Sequence, residues 1–319
     1  MNRLTITIAL GAVTLAGPAL AQEFPVTIPH ALGEAVIPEA PQRIVTLGWI
    51  SQDVVIALGE VPVGIARQDW GGNADGYLPW VADAVAATGA PLPVALDTFD
   101  GTPFEAILAL EPDLILAPYA GLSDADYARL SAIAPTVAHA VEPWVADWRD
   151  VVRTVGRALG QEEEAEALLA ETLESIRAIG AGHPEFAGRT FAYAAGDLSA
   201  GTVVFYGPTD PRVQLIEELG LASAPAIAGL PRDTFFYEVS IEGLTGIETD
   251  ILVTWHNSDE DVETFRANPV VARYQPVVEG RFVPLVDRSL IMSTTAPSPL
   301  SLPWGMDRFV PLLAAVLAE

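Results

Sequence analysis

A twelve-residue pattern occurs twice in this chain and constrains the fold more than any other feature. Residues 105–116 read EAILALEPDLIL, and residues 242–253 read EGLTGIETDILV. Each copy combines a short amphipathic helical stretch, a turn and a continuous apolar run. An apolar run this short, bounded by turn residues, is typical of a buried strand in a parallel sheet. The sequence therefore predicts two similar lobes with a cleft between them.

The amino-terminal residues have the composition of a secretory signal peptide. Arg3 precedes an apolar stretch over residues 4–15, and Ala19-Leu20-Ala21 forms a small-x-small cleavage site. The apolar stretch is shorter than the ~20 residues that a membrane span needs. We therefore predict a signal peptide over residues 1–21 that is removed from the mature protein.

Composition excludes several classes of site and partner. The chain has no cysteine, which removes disulfides, thiolate metal sites and a cysteine that could accept a lipid. Acidic residues number 42 against 16 basic ones, all of them arginine, and the net charge is −26. This charge argues against nucleic acid and anionic membranes as partners. A secreted, untethered protein is expected, and the periplasm suits it best.

Strand and helix patterns alternate along the mature chain, which favours right-handed α/β crossovers around mostly parallel sheets. The 319 residues suit about two domains. We predict an α/β fold with a first lobe over residues 22–145, a helical connection over 146–180 and a second lobe over 181–319. The connection includes a helix over residues 162–179, roughly 27 Å long. We expect this one rigid helix to join the lobes.

The residues form no recognisable catalytic or metal-binding set. The four histidines, His30, His139, His183 and His256, are scattered and lack the i,i+4 spacing of a helical metal site. The chain has no G-x-S-x-G elbow, P-loop or G-x-G-x-x-G motif. No catalytic residue and no metal site are therefore predicted.

Aromatic residues and arginines cluster instead near the predicted strand ends. In open α/β sheets, ligands lie beyond the carboxyl ends of the strands. A site lined by aromatic rings, with arginines at its edges, suits a bulky, flat or anionic complex. The arginines would matter most for an anionic complex. The predicted ligand-binding residues are Trp49, Arg67, Tyr119, Tyr206, Phe235, Phe236, Trp255 and Arg288.

The repeated pattern also carries a matched pair of glutamates, Glu105 and Glu242. Each lies early in its predicted helix, where a carboxylate interacts favourably with the helix dipole and is commonly solvated. Their equivalent positions in two lobes suggest a two-point docking surface for a partner that bears arginines.

Five segments follow one another along the mature chain: PQRIV at 41–45, ALGEVPVG at 57–64, residues 104–116, ALGQE at 158–162 and PSPLS at 297–301. In this order they resemble the periplasmic ferric-siderophore and cobalamin binding proteins of ABC importers. The resemblance covers almost the whole mature chain.

The resemblance implies a monomeric solute-binding protein that captures a ferric siderophore and delivers it to an ABC permease dimer. It implies that Glu105 and Glu242 contact arginines on the two permease subunits. It also implies that Tyr119 and either Phe235 or Phe236 flank the ligand. The siderophore keeps its iron chelated, so the protein needs no cofactor and supplies no iron ligand.

Two alternatives remain open at this point. In the first, a protein of the same fold binds haem or cobalamin instead of a siderophore. A haem would then have Tyr119 or a histidine as its axial ligand. In a different class, the chain is a periplasmic enzyme that uses the cleft between the lobes.

Overall fold

The computed structural model describes residues 24–144 and 146–318. The predicted signal peptide lies outside these residues. Within the described ranges, no helix has the length and apolar character that crossing a bilayer requires. The chain forms two central sheets, separated in sequence by two helices, α5 (Trp148–Leu159) and α6 (Glu162–Ala181).

The first sheet is entirely parallel and follows an amino-terminal antiparallel hairpin of β1 (Val26–His30) and β2 (Gly33–Ile37). Its strand order is β5-β4-β3-β6-β7. The strands are β3 (Ile44–Thr46), β4 (Gly64–Ala66), β5 (Val94–Leu96), β6 (Leu114–Leu116) and β7 (Thr136–Val137). The helices are α1 (Ser51–Ala57), α2 (Pro79–Thr88), α3 (Phe104–Ala109) and α4 (Asp124–Ser131).

The second sheet is mixed, with the order β11-β9-β8-β12-β13, and β10 also pairs with β8. Strand β9 runs antiparallel to both of its neighbours. The strands are β8 (Thr190–Ala195), β9 (Thr202–Tyr206), β10 (Ala222–Ser223), β11 (Phe236–Ser240), β12 (Ile251–Trp255) and β13 (Phe282–Leu285). The helices are α7 (Pro211–Glu218), α8 (Pro225–Ala228), α9 (Asp259–Ala267), α10 (Gln275–Val278), α11 (Arg288–Thr295) and α12 (Ser301–Ala315), with 3-10 turns at 184–186, 241–246 and 271–273.

The repeated sequence pattern corresponds to a repeated structural unit. Its apolar runs form β6 and β12, and each of these strands pairs with a neighbour on both sides. The first helical stretch is α3, but the second is a 3-10 helix over 241–246. Gly243 and Gly246 in the second copy explain this difference, because glycine is a poor former of α-helix.

The repeated aspartate joins each unit to the strand that lies beside it in the sheet. Asp113 accepts hydrogen bonds from the backbone N–H groups of Gln42 and Arg43 at 2.8 and 2.9 Å. Asp250 accepts one from the backbone N–H of Thr190 at 2.8 Å. In both halves the carboxylate therefore fixes the start of the neighbouring strand, β3 or β8, against the repeated unit.

Helix α6 contacts elements on both sides of the molecule. It packs against α5, which contacts α1, and against α7 and α12. Its 20 residues span roughly 30 Å. One hydrophobic cluster includes buried residues from both sheets, among them Ile44 and Ile251. The predicted two-lobe α/β fold is confirmed, and the boundaries predicted for the lobes stay a prediction.

A buried polar cluster connects the segment before α12 to α1 and α2. Asp53 accepts hydrogen bonds from Ser298 Oγ at 2.5 Å and from Trp80 Nε1 at 2.7 Å. Gln52 Nε2 donates to the other carboxylate oxygen at 2.9 Å. Burial raises the pKa of Asp53 to about 6, although all three hydrogen bonds oppose the shift.

Candidate ligand-binding cleft

A cavity of about 510 Å³ lies between residues of the two halves of the chain. The first half contributes a wall of tryptophans and a tyrosine, and the second contributes the start of α7 and the residue before β11. The lining residues are Trp49, Tyr119, Pro143, Trp144, Ala146, Asp147, Trp148, Thr209, Asp210, Pro211, Arg212, Gln214, Phe235 and Thr295.

The fold explains why the aromatic wall forms here. Trp49 follows β3 and Tyr119 follows β6, and these two strands are parallel neighbours. Their carboxyl ends therefore meet at one edge of the sheet, where ligands of open α/β folds bind. Of the residues predicted from the sequence, the structure brings Trp49, Tyr119 and Phe235 together in this cavity.

Trp144 completes the aromatic wall, and the sequence did not single it out as a ligand residue. Its ring centroid lies 5.3 Å from that of Trp49 and 6.4 Å from that of Tyr119. Its backbone is left-handed, with φ at 61°, and 48% of the residue is exposed. The indole lies directly against Gly121, where a Cβ atom would overlap it. This contact requires glycine at position 121.

Arg212 is the cation of the cavity, and it was not predicted. Its Nε and Nη2 donate to the two carboxylate oxygens of Asp210 at 2.8 and 2.6 Å. Its guanidinium also stacks on the Tyr206 ring, with Cζ 3.4 Å from the centroid. Burial alone would lower the pKa of Arg212, but the hydrogen bonds and charge of Asp210 raise it. The group therefore stays charged while buried.

Asp210 has a second role at the start of α7. Its side chain accepts a hydrogen bond from the backbone N–H of Arg212 at 2.9 Å and so caps the helix. Pro211 follows at the first helical position, which is the usual place for proline. An arginine in the first turn opposes the helix dipole. That anomaly was the one sequence signal that could have revealed Arg212.

Tyr119 supplies a neutral hydroxyl to the cavity. Burial, and then the negative charge of Asp210, raise the pKa of Tyr119, and Arg212 opposes this shift. The phenol therefore stays protonated at neutral pH. Its O–H is available as a hydrogen-bond donor or acceptor.

Two smaller chambers adjoin the main cavity, and Trp49 lines both. One, of about 240 Å³, contains Trp255 and Trp70, whose rings lie 6.3 Å apart and edge-on. Trp255 Nε1 donates to the hydroxyl of Tyr206 at 2.8 Å. Tyr206 therefore lies behind the lining, where it supports Trp255 and Arg212.

The predicted arginines occupy other positions. Arg67 lines the second chamber, also about 240 Å³, but its guanidinium donates to Asp69 Oδ1 at 2.6 Å and to the carbonyls of Ala74 and Asp75. It therefore holds the loop that precedes α2. Arg288 is the first residue of α11; it is exposed and lies outside the lining of these three chambers.

The remaining predicted residues lie at the surface. Phe236 packs against Phe235, with ring centroids 5.0 Å apart, and is partly exposed. Glu105 lies in the first turn of α3, and Glu242 lies in the first turn of the equivalent 3-10 helix. Both glutamates are exposed.

A separate groove of about 770 Å³ lies within the second half of the chain, beside Trp255 and α9. His256 lines it, and burial lowers the pKa of this histidine to about 4, so its ring is neutral at pH 7. Within residues 24–144 and 146–318, no three histidine, aspartate or glutamate side chains are grouped closely enough to hold a metal ion.

Comparison with known proteins identifies the family. Residues 44–288 match the family model described as periplasmic binding protein. The chain belongs to this family. The match spans both central sheets and most of the residues that line the three chambers, so the resemblance inferred from short segments is confirmed.

Three proteins with similar sequences or structures illustrate what members of this family bind or resemble. The Fe(3+)-citrate-binding protein YfmC of Bacillus subtilis (strain 168) is 27% identical over 256 residues, which are 78% of this chain and 74% of YfmC. The crystal structure of PiaA from Streptococcus pneumoniae TIGR4 in complex with ferrichrome is 30% identical, with a TM-score of 0.82. The alignment covers 92% of this chain and 98% of PiaA. A periplasmic solute binding protein from Mycobacterium smegmatis str. MC2 155 is 34% identical, with a TM-score of 0.76. That alignment covers 92% of this chain and 99% of the other.

Proposed function

We propose that this protein captures a ferric siderophore in the cleft between its lobes and delivers it to an ABC permease for iron uptake. The observation that carries this proposal is the 510 Å³ cavity, with its aromatic wall and one buried arginine. Its size lies within the range of small-molecule sites. The proposal also agrees with the ferrichrome bound to PiaA and with the name of YfmC.

The chemistry of the lining fits an iron chelate. A siderophore surrounds iron with oxygen atoms and presents a carbon skeleton outside them. The rings of Trp49, Trp144 and Phe235 can pack against this skeleton, while Tyr119 and Arg212 can donate hydrogen bonds to the oxygens. The bonds to Asp210 occupy Nε and Nη2 of Arg212, which leaves Nη1 for a ligand. The iron needs no ligand from the protein.

Delivery would use the two exposed glutamates. Glu105 and Glu242 occupy equivalent places in two similar units, so a partner with two similar subunits could bind both at once. A permease dimer with arginines at matching positions is such a partner. The protein would act as a monomer and without catalysis, in the periplasm, after cleavage following Ala21.

A haem ligand is the weaker alternative. Among the residues that line the main cavity, Tyr119 alone has a side chain of a type that ligates haem iron. A tyrosine ligates iron as phenolate, and the raised pKa of Tyr119 disfavours that form. A Soret band in the spectrum of the purified protein would favour haem over a siderophore.

Tryptophan fluorescence tests the proposal, because three of the seven tryptophans line the main cavity. Titration with a panel of ferric siderophores should quench the emission at a stoichiometry of one. Trp144→Phe should reduce the quenching. Trp304→Phe is the matched control, since Trp304 packs against Trp80 and does not line the cavity. If no ferric siderophore in the panel quenches the emission, the proposed function is wrong.

A further inference from the structure

We infer that the cleft selects ferric complexes that carry no net negative charge, of which ferric tris-hydroxamates are the leading class. This inference rests on the proposed function and names its substrate class. The observations that carry it are the ion pairs of Arg67 and Arg212, the two arginines in the lining of the three chambers.

The cation of the main cavity is already neutralised. Arg212 and Asp210 form a bidentate pair, and their side chains are only 9% and 1% exposed. A pair with this geometry presents hydrogen-bond donors to a ligand but little net charge. An anionic ligand that approached Arg212 would also approach the Asp210 carboxylate.

No other cation offsets this balance among the described residues that line the three chambers. Arg67 is paired with Asp69 at 2.6 Å, and the chain contains no lysine. Asp147 lines the main cavity and forms an ion pair with Arg149 at 3.5 Å, a residue outside the lining, and Asp126 lines the chamber that contains Arg67. The charged lining residues are therefore two arginines, Arg67 and Arg212, and three aspartates, Asp126, Asp147 and Asp210.

The charge of the complex then decides its affinity. Ferric ion bound by three singly charged hydroxamates is neutral overall, whereas a ferric tricatecholate carries several negative charges. Moving an anion from water into a cavity that offers no unpaired cation is costly. A neutral complex avoids that cost and still receives hydrogen bonds from Arg212 and Tyr119. The cavity therefore suits the neutral complex better.

The net charge of −26 would also repel anionic complexes, but from a distance. Such a long-range effect is screened within about 8 Å at physiological salt, while interactions inside a buried pair are screened much less. Measurement at low and high salt therefore separates the field of the whole protein from the local effect of the cavity.

The test compares two probes, ferrichrome and a ferric tricatecholate siderophore, by tryptophan quenching at high salt. The wild-type protein should bind ferrichrome at least about tenfold more tightly, which corresponds to ~1.4 kcal/mol. Asp210→Asn should narrow this preference by roughly tenfold. Asparagine still accepts the capping hydrogen bond at the start of α7, and it leaves Arg212 with an uncompensated charge.

Two further variants make the comparison decisive. Asp147→Asn changes the same charge at a more exposed cavity position and keeps the cap of α5, so it should narrow the preference less. Glu238→Gln changes the same charge at an exposed position of β11 that lines none of the three chambers, and it should not alter the preference.

Two results would overturn the inference. The first is wild-type affinity for the tricatecholate equal to or greater than that for ferrichrome. The second is equal narrowing by Glu238→Gln and by the cavity variants. Binding of both probes with equal affinity would leave the proposed function standing and refute charge selection alone. Failure of ferrichrome to bind would also overturn the inference, and the siderophore panel then decides separately whether the proposed function stands.

Discussion

Asp53 is a buried carboxylate held by three neutral donors, and its replacement by asparagine should stabilise the protein at neutral pH. Asparagine keeps one oxygen to accept hydrogen bonds from Ser298 and Trp80. Its amide nitrogen would face Gln52, whose Oε1 has no hydrogen-bond partner in the described part of the chain. If the Gln52 amide rotates, its Oε1 can accept a hydrogen bond from the new amide nitrogen at position 53. The change therefore removes a charge and keeps the hydrogen bonds.

The size of this stabilisation follows from the pKa of Asp53, which is about 6 in the folded protein and about 3.9 in an unfolded chain. Between these values the folded state binds more protons than the unfolded state, so the free energy of unfolding decreases as the pH rises. A difference of about two pKa units corresponds to roughly 3 kcal/mol. This contribution is fully present below about pH 4 and is lost above about pH 6.

Denaturant unfolding at several pH values measures this effect. Asp53→Asn should be more stable than the wild type by roughly 1–3 kcal/mol at pH 7 and nearly equal to it at pH 4. Asp83→Asn is the matched control, because Asp83 is exposed on α2 and its replacement makes the same change in charge. A difference between Asp53→Asn and the wild type that stays constant from pH 4 to pH 7 would show that ionisation of Asp53 does not destabilise the folded protein.

Three further predictions concern the repeated unit and the cleft. Asp113→Ala and Asp250→Ala should each destabilise the protein by ~1–3 kcal/mol in denaturant unfolding, because backbone N–H groups lose a charged acceptor; no change would deny these aspartates a structural role. Glu105→Ala together with Glu242→Ala should leave siderophore affinity intact but reduce uptake by cells more than either single change does, and uptake at the wild-type rate would show that the glutamates do not dock. Gly121→Ala should weaken the affinity for a ferric siderophore at least about tenfold, because a Cβ atom at position 121 displaces the Trp144 indole. Unchanged affinity would exclude that indole from the site.

The sequence could predict the parts of the site that depend on parallel strands. Trp49 and Tyr119 follow adjacent parallel strands, and the rule for carboxyl strand ends places both at one edge. Tyr206 ends β9, which is antiparallel to its neighbours, so the same rule does not apply to it. It lies beneath Arg212 instead of lining the cavity.

The arginines could not be assigned from the sequence, because their partners depend on tertiary contacts. Arg67 follows β4 as expected, but carbonyls of the loop before α2 fold back onto its guanidinium. Arg212 is brought to the cleft by the position of α7 between the second sheet and α6. Trp144 depends on a left-handed backbone and on contact with Gly121, and neither feature has a pattern in the sequence.

A crystal structure of the ferrichrome complex, with anomalous diffraction recorded at the iron absorption edge, would locate the bound iron. We expect one anomalous peak in the 510 Å³ cavity, between the aromatic wall of Trp49, Tyr119 and Trp144 and the Arg212–Asp210 pair. We also expect that no protein atom coordinates the iron. A peak in the groove beside His256, or an iron atom coordinated by Tyr119, would contradict siderophore capture in the cleft.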